Sequence, residues 1–451
     1  MKNKSNEIDM LHGSITPKIL LFAIPLALSS ILQLLFNAAD VVVLGRYVGE
    51  NALAAVGSTN SLINLLVNLF IGLSAGVNVM VARYYARQDE EEVQRIVHTS
   101  VMTAAVCGFI LIFVGIILAR PLLELMGSPE EVIDMSVLYI RVFFIGMPSV
   151  MLYNFGAAIL RAVGDTKRPL YFLIVAGIIN VILNIFFVTR IEMGVAGVAL
   201  ATTISNTISA LLVIRTLMKE ETALKLHINK LKIEFPVLRK IFKIGIPAGL
   251  QGCIFSVSNV VIQSSVNSFG AVVMAGSTAA ANIEGFIYNA MNAVYQANLS
   301  FTSQNIGAGK YSRINKIMKS CIMLVTAIGL VMGISSVIFG NQLLGIYNKN
   351  PEVISAGLLR LEIIGGLYFV CGWMDVIVGS LRGMGYAIFP MVVSLIGACG
   401  FRILWVFTIF KLNRTLTTLF VGYPISWLIT ALAHFATFYY LRKKFPREDS
   451  I

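Results

Sequence analysis

Four oxygen-bearing side chains stand in apolar stretches of the sequence, where such groups are rare. Asp40 interrupts "LLFNAADVVVLG", Asn180 and Asn184 lie in "PLYFLIVAGIINVILNIFFV", and Thr202 lies in "GVAGVALATTIS". The i, i+4 spacing places both asparagines on one face of a helix. A carboxylate with amide and hydroxyl oxygens is the ligand set that a small hard cation prefers over nitrogen or sulfur. These residue types therefore predict a cation-binding site.

The apolar character of the surrounding runs indicates that these positions lie in a membrane. The chain has 451 residues, of which 57% are hydrophobic and 13% are charged, whereas soluble domains have roughly 25% charged residues. Apolar runs long enough to cross a hydrocarbon core of about 30 Å recur along the chain. Helices are expected, because lipid offers no hydrogen-bond partner to an open backbone. The sequence predicts an all-α membrane protein with twelve transmembrane helices.

The alternating direction of the spans predicts that the four oxygen-bearing side chains share one depth. With the N-terminus inside, the first and fifth predicted spans run outward and the sixth returns inward. Asp40 then lies about five residues, or roughly 7 Å, below the outer end of the first span. An ionised carboxylate within a membrane costs several kcal/mol, so we expect Asp40 to be functional. For Asn180, Asn184 and Thr202, hydrogen bonding between helices stays the alternative.

The basic residues indicate membrane topology rather than nucleic-acid binding. The net charge is +12, and most of the 35 Lys and Arg residues lie in segments that the predicted spans place on the same side as both termini. This asymmetry follows the positive-inside rule. We therefore expect a multi-pass protein of the cytoplasmic (inner) membrane with both termini in the cytoplasm. The lipid bilayer is an expected partner, and nucleic acid is not.

The second half of the sequence repeats the first at an offset of about 220 residues. "SPEEVI" (128–133) recurs as "NPEVI" (350–354), and "LRAVGDTKRP" (160–169) recurs as "LRGMGYAIFP" (381–390). An even number of helices in each repeat makes the repeat parallel, as in some secondary transporters. We expect two pseudo-symmetric six-helix bundles. They are an N-terminal lobe (1–218) and a C-terminal lobe (239–451), joined by a cytoplasmic linker (219–238).

The repeat, the topology and the local motifs together resemble the multidrug and toxic compound extrusion (MATE) family over essentially the whole chain. The motifs are "NAADVVVLG", "LRAVGD", "LRGMG" and "GVAGVALATTIS". The resemblance implies a V-shaped pair of bundles with a central cleft. It also implies export of amphipathic, usually cationic compounds in exchange for Na⁺ or H⁺. Asp40 matches the family's first-helix acid, Asn180 and Asn184 match its fifth-helix pair, and Thr202 matches a sixth-helix threonine.

Two acids of the second half also lie in apolar runs, Asp375 in "CGWMDVIVGSLRG" and Glu284 in "AAANIEGFIYNAMNA". Asp375 matches an acid in one branch of the family, which implies a substrate site or second ion site, with a structural ion pair as the alternative. Glu284 would suit a cationic substrate, but it is equally compatible with a buried arginine. Glu362 is expected to pair with Arg360 or Arg141. Apart from a coupling Na⁺ we expect neither a metal nor a cofactor.

Secondary active antiport is the function that these features favour. The chain is expected to work as a monomer that exports small organic cations by alternating access. The alternative is a flippase for lipid-linked oligosaccharides or related lipids of the same superfamily, for which a basic cleft would be expected. An ATP-driven pump would need a "GxxxxGK[ST]" loop, which the chain lacks. The four histidines are scattered, so we predict no catalytic residues and no enzyme.

Overall fold

Helices form all of the regular secondary structure in the computed structural model, which describes residues 7–125 and 130–446. In chain order the helices are α1 (Ile15–Tyr47), α2 (Glu50–Ala86), α3 (Glu90–Leu125), α4 (Glu130–Ile145), α5 (Met147–Ala162), α6 (Lys167–Thr189), α7 (Gly194–Lys219), α8 (Phe235–Asn267), α9 (Ala271–Gly307), α10 (Ser312–Ile338), α11 (Gly340–Tyr347), α12 (Pro351–Ile363), α13 (Tyr368–Gly383), α14 (Ile388–Ser394), α15 (Phe401–Phe407), α16 (Ile409–Leu412) and α17 (Leu416–Arg442). A π-helical turn, Leu395–Gly400, joins α14 to α15. The all-α prediction is confirmed for these ranges. The two ends of the chain, at 1–6 and 447–451, and the first residues of the "SPEEVI" motif lie outside them.

Ten helices of the described chain are long and apolar enough to cross a membrane, or eleven if α4 and α5 form one bent span. Pro148 in the first turn of α5 explains the 48° bend, because proline lacks the N–H and its ring clashes with the preceding turn. The predicted count of twelve also included α9, which is 37 residues long but not apolar enough. Its buried Asn298 donates to the carbonyl of Val376. This contact inside the protein offsets part of the polar character of α9.

Two compact units divide the chain, and each contains part of α1 and part of α8. The first unit consists of Leu28–Gly249 and the segment that ends at Ile8, and the second consists of Asp9–Ala27 and the chain from Leu250 onward. Pro25 and Pro247 lie inside α1 and α8 close to these divisions. Each proline removes a helix hydrogen bond where the chain changes unit. The predicted lobes, 1–218 and 239–451, differ from these units, and their role as moving halves stays a prediction.

The internal repeat is confirmed by backbone geometry. Helices α1 and α8 both have 33 residues, and α2 and α9 both have 37. Gly49 and Gly270 adopt positive φ angles of 117° and 95° before α2 and α9. Gly164 and Gly385 adopt 96° and 97° at the turns after α5 and α13. Only glycine takes such angles without strain, so the two halves share the same turns at matching positions.

Glycines bring α2 and the first part of α8 into backbone contact within the first unit. A Cβ atom added at Gly72 would lie 2.3 Å from the backbone nitrogen of Gly249, and one added at Gly76 would lie 2.3 Å from the carbonyl oxygen of Ile241. Small residues allow such close approach of helices in a membrane, where packing rather than hydrophobic burial drives association. The α2–α8 contact therefore depends on these side chains being absent.

We expect Gly76→Ala to lower the Tm of the purified protein by several degrees. The added methyl group meets a backbone carbonyl that cannot move without shifting α8. The matched control is Gly57→Ala in the same helix, where nothing lies within 4 Å of the new Cβ. There alanine should be neutral or stabilising, because it is favoured over glycine in a helix by about 1 kcal/mol. Equal Tm values for the two variants would show that the contact is not a tight one.

The predicted linker packs against α3 rather than extending away from it. The backbone N–H of His227 donates to Nε2 of His98 at 3.0 Å, and the two imidazole rings stack with their centroids 6.0 Å apart. Arg95 of α3 donates to the carboxylate of Glu234 at 2.7 Å. Leu224 and Leu226 are buried. The segment is therefore fixed to the first unit at both of its ends.

Acidification should loosen this segment. Burial, followed by the charges of Lys230 and Lys225 and by nearby His98, lowers the pKa of His227. A histidine whose pKa is depressed on docking stabilises the docked state above its free pKa of about 6.5, and that contribution is lost as pH falls through the docked pKa. Amide hydrogen exchange across 220–234, corrected for intrinsic rates, should accelerate between pH of about 7.5 and about 5.5. The His227→Gln variant should show a smaller acceleration. An unchanged acceleration in that variant would assign the effect to other groups.

Candidate cation-binding site

The structure brings Asp40, Asn180, Asn184 and Thr202 into one hydrogen-bonded cluster inside the first unit. Asn184 of α6 donates through Nδ2 to Oδ1 of Asp40 on α1. Thr202 of α7 lies with its hydroxyl 3.5 Å from Oδ2 of Asp40. Asn180 Nδ2 lies 3.3 Å from the Thr202 hydroxyl, and Asn184 Nδ2 lies 3.2 Å from Asn180 Oδ1. Helix α1 and the consecutive helices α6 and α7 thus supply one polar pocket.

This cluster is withdrawn from solvent. Asp40 is 9% exposed and Asn184 is fully buried. Oδ1 of Asn184 has no hydrogen-bond partner among the residues that the structure describes. Because buried polar atoms are nearly always paired, this unpaired amide oxygen is a spare ligand position. The pocket therefore contains more acceptor oxygens than its own donors satisfy.

Close contact between α1 and α6 positions the cluster. The ring of Phe36, one turn before Asp40, lies where a Cβ at Gly177 would stand, 1.8 Å from the nearest ring atoms. Gly177 lies one turn before Asn180 and two turns before Asn184 on α6. A larger residue at this position would push α6 away from α1. Gly177 therefore sets the distance across which Asn184 reaches Asp40.

Tyr139 of α4 is a further residue of this region that sequence reasoning missed. It is buried and interacts electrostatically with Asp40. Its position in "VLYIRVFF", an apolar stretch in which aromatic residues are common, gives no signal of this proximity. Only the fold identifies it as a neighbour of the carboxylate.

Glu284 has the arginine partner that the sequence left open as the alternative to a substrate role. Arg360 of α12 donates from Nε and Nη2 to the two carboxylate oxygens of Glu284 at 2.9 and 2.8 Å. Its Nη1 donates to Ser277 at 2.8 Å, and both members of the ion pair are buried. Glu362 is exposed and is not the partner of Arg360. Both oxygens of Glu284 are therefore engaged in this conformation.

Asp375 of α13 differs from Glu284, because it has neither a hydrogen bond nor an ion pair within the described ranges. It interacts electrostatically with Tyr288 of α9 and with Arg382, two turns further along α13. Its carboxyl group thus lies in an apolar span without a fixed partner among the described residues. Its role in binding stays a prediction.

A chain of hydrogen bonds holds Arg382 in the second unit. Arg382 donates to the Tyr295 hydroxyl at 2.6 Å and to Oε1 of Gln251 at 2.8 Å. Gln251 donates to Ser394 at 3.2 Å, and Ser394 lies 2.9 Å from Nε2 of the buried His434. The direct partners of this arginine are thus neutral groups. Its guanidinium is held away from a hydrogen bond to Asp375.

The long apolar helices of the described ranges, arranged in two repeated bundles, define a multi-pass membrane protein. Among the described residues, no three His, Cys, Asp or Glu side chains are grouped to hold a metal ion. The MatE family model matches residues 25–186 and again residues 247–408, so each half carries one copy. The chain belongs to the MatE family, which confirms the resemblance seen in its motifs.

Curated relatives align over most of their length. The chain is 28% identical over 432 residues to the probable multidrug resistance protein YoeA of Bacillus subtilis, covering 94% of this chain and 93% of that protein. It is 21% identical to the multidrug export protein MepA of Staphylococcus aureus, covering 95% and 94%. It is 25% identical to the probable multidrug resistance protein NorM of Thermotoga maritima, covering 85% and 83%. All three relatives are named for multidrug resistance or multidrug export.

Solved structures share the fold. An outward-facing multidrug resistance MATE family transporter of the MOP superfamily superposes with a TM-score of 0.91 at 20% identity, covering 98% of this chain and 99% of that one. A MOP superfamily transporter from Pyrococcus furiosus superposes with a TM-score of 0.92 at 20% identity and the same coverage. That transporter is reported to have a binding pocket of reverse polarity. At this identity the likeness establishes the architecture.

Proposed function

We propose that this chain exports amphipathic organic cations in exchange for Na⁺ or H⁺ by alternating access. The observation that carries the proposal is the buried contact of Asp40 with Asn184 and Thr202. A carboxylate removed from water needs a proton or a cation to balance its charge. Binding of the coupling ion at Asp40 therefore changes the charge inside the first unit, and that change drives release of the substrate.

The Asn184 amide gives the pocket two arrangements. As it stands, Nδ2 donates to Asp40 and to Asn180. Half a turn of the amide plane exchanges nitrogen for oxygen and presents Oδ1 beside the Asp40 carboxylate. In our proposal this second arrangement holds Na⁺ among oxygens of Asp40, Asn184 and Thr202, whereas a proton is held by the carboxylate alone.

Support for the substrate class comes from the relatives and from Asp375. YoeA and NorM are named as probable multidrug resistance proteins and MepA as a multidrug export protein. An unpaired carboxylate in an apolar span attracts a cationic, partly apolar compound by charge and lets the surrounding side chains pack against its rings. We assign Asp375 to this substrate or to a second ion. Glu284 contributes only in a conformation that separates it from Arg360.

Proposed with this function are a location in the cytoplasmic membrane, both termini on the cytoplasmic side and action as a monomer. The excess of basic residues in the segments assigned to the cytoplasmic side supports the orientation. The lipid bilayer is then the surrounding solvent of the apolar helices, and the organic cation enters from the cytoplasm or from the inner leaflet.

Transport in inverted membrane vesicles tests the proposal. Uptake of a fluorescent organic cation is measured with a Na⁺ gradient alone, with a pH gradient alone and with neither, using vesicles without the protein as the control. We expect one of the gradients to accelerate uptake in a protein-dependent manner. Uptake that is equal under all three conditions would rule out ion-coupled antiport. Protein-dependent translocation of a lipid-linked oligosaccharide, with no cation uptake, would favour the flippase.

A further inference from the structure

The stretch from the start of the helical segment that carries Asn180 to the start of the next long helix is one residue longer in the second repeat. Lys167 and Ile388, which begin α6 and α14, are 221 positions apart, as are Gly164 and Gly385. The next long helices, α7 and α17, begin at positions 222 apart. The π-helical turn Leu395–Gly400 lies between these points, and such a turn accommodates one extra residue. After it, position 402 corresponds to position 180.

Arg402 therefore occupies in the second unit the place that Asn180 occupies in the first. It is 4% exposed. Its Nε donates to the Ser426 hydroxyl of α17 at 2.8 Å, as Asn180 donates to Thr202 of the matching α7. Its guanidinium carbon lies 4.4 Å from the ring centroid of Tyr423. Arg402 and Asn180 thus stand at equivalent positions of the two repeats, and each donates to a hydroxyl group on the next long helix.

No acid accompanies this buried cation. Arg402 has no ion pair within the described ranges, and its Nη2 has no hydrogen-bond partner. The guanidinium carbon also lies 5.5 Å from the Trp427 ring, so aromatic faces supply much of its stabilisation. The stretch of α8 that corresponds to the surroundings of Asp40, "SNVVI" (258–262), contains no carboxylate. Its Ile262 is buried in the same apolar cluster as Trp427.

We propose that Arg402 is a covalently tethered counterpart of the coupling cation. Where the first unit holds a fixed anion that needs a mobile cation, the second holds a fixed cation on two aromatic rings. The second unit thus carries a permanent cation at the position where, in the proposed function, the first unit takes up the coupling ion. This inference rests on the proposed function for its meaning in transport, but the cation site at residue 402 can be tested without transport.

Chemical complementation tests the site. In Arg402→Ala, the space between Tyr423, Trp427 and Ser426 should accept a free guanidinium ion. We expect the Tm of this variant to fall by several degrees and then to rise in a saturable manner with guanidinium, at concentrations well below those that denature proteins. Wild type and the exposed-site control Arg414→Ala should show no rise. Na⁺ at equal ionic strength should not substitute, because the aromatic faces favour a planar, weakly hydrated cation. A rise equal in all three proteins, or one matched by Na⁺, would overturn the proposal.

The reciprocal substitution, Asn180→Arg, tests whether positions 180 and 402 are equivalent. It also tests the proposal if Arg402→Ala does not fold. A guanidinium placed beside Asp40 should supply the missing cation. The variant should remain folded but lose the Na⁺- or pH-dependent Tm shift of wild type, which the exposed-site control Arg414→Ala should keep. A full shift in Asn180→Arg would refute the inference. If wild type itself shows no ion-dependent shift, the proposed function fails at Asp40, while the guanidinium measurement still decides the role of Arg402.

Discussion

Replacing Asp40 with asparagine will abolish ion-driven export while the chain stays folded and inserted. The amide keeps the size of the side chain and can still bond to Asn184 and Thr202, but it can hold neither a proton nor Na⁺ as a counter-charge. We expect the gradient-driven rate to fall at least about tenfold, which corresponds to about 1.4 kcal/mol in the barrier. The measurement is the uptake of a fluorescent organic cation by inverted vesicles, normalised to the amount of folded protein.

Asp134→Asn is the matched control for this substitution. Asp134 is an exposed acid on α4 that pairs with Arg120, and exposed ion pairs contribute little to stability. This variant should transport at the wild-type rate. If Asp40→Asn also kept its full response to the gradient, the coupling ion would have to bind elsewhere, and Asp375 would be the next candidate.

Glu284→Gln will destabilise the second unit more than any other removal of a single acid in it. The substitution leaves the guanidinium of Arg360 buried without a counter-charge, and breaking such a pair costs about 3–5 kcal/mol. The measurement is size-exclusion chromatography of the detergent-purified protein after heating. The temperature at which the monodisperse elution peak is lost should fall by a large amount. Replacing Glu284 and Arg360 together by methionine should recover much of the loss, because neither charge is then left alone.

Glu362→Gln tests the other pairing that the sequence allowed, in which Arg360 would pair with Glu362 instead of Glu284. Glu362 lies two positions after Arg360 on α12 but is exposed. Its neutralisation should leave the melting temperature almost unchanged. A larger effect at Glu362 than at Glu284 would mean that Arg360 pairs with a different acid in the membrane.

The cluster around Asp40 could be predicted from the sequence because the rules that place its members are local. An i, i+4 spacing fixes the face of a helix, and counting from the span ends fixes the depth, so the amino-acid sequence alone places Asn180 and Asn184 at the level of Asp40. The neighbours that a helix face contacts, by contrast, are set by tertiary packing. The partner of Glu284 lies 76 positions away, and neither periodicity nor spacing selects Arg360 over other arginines.

Other features needed the three-dimensional arrangement for different reasons. The polar residues of α9 lower its hydropathy, and only their buried contacts, such as that of Asn298 with Val376, explain how it can still belong to the bundle. The register that equates Arg402 with Asn180 depends on a single π turn. Sequence patterns do not identify such a turn, because one extra residue in an apolar run changes no visible motif.

The division of α1 near Pro25 has a consequence for biosynthesis. Residues 9–27 belong to the second unit, where the Thr16 hydroxyl lies 3.0 Å from that of Ser320. The ribosome makes Thr16 some three hundred codons before Ser320, a delay of roughly fifteen seconds to a minute at ~5–20 residues per second. The first part of α1 is therefore made long before the residues of the second unit that it contacts. A gene cut at the linker would therefore yield two fragments, neither of which encodes a complete unit.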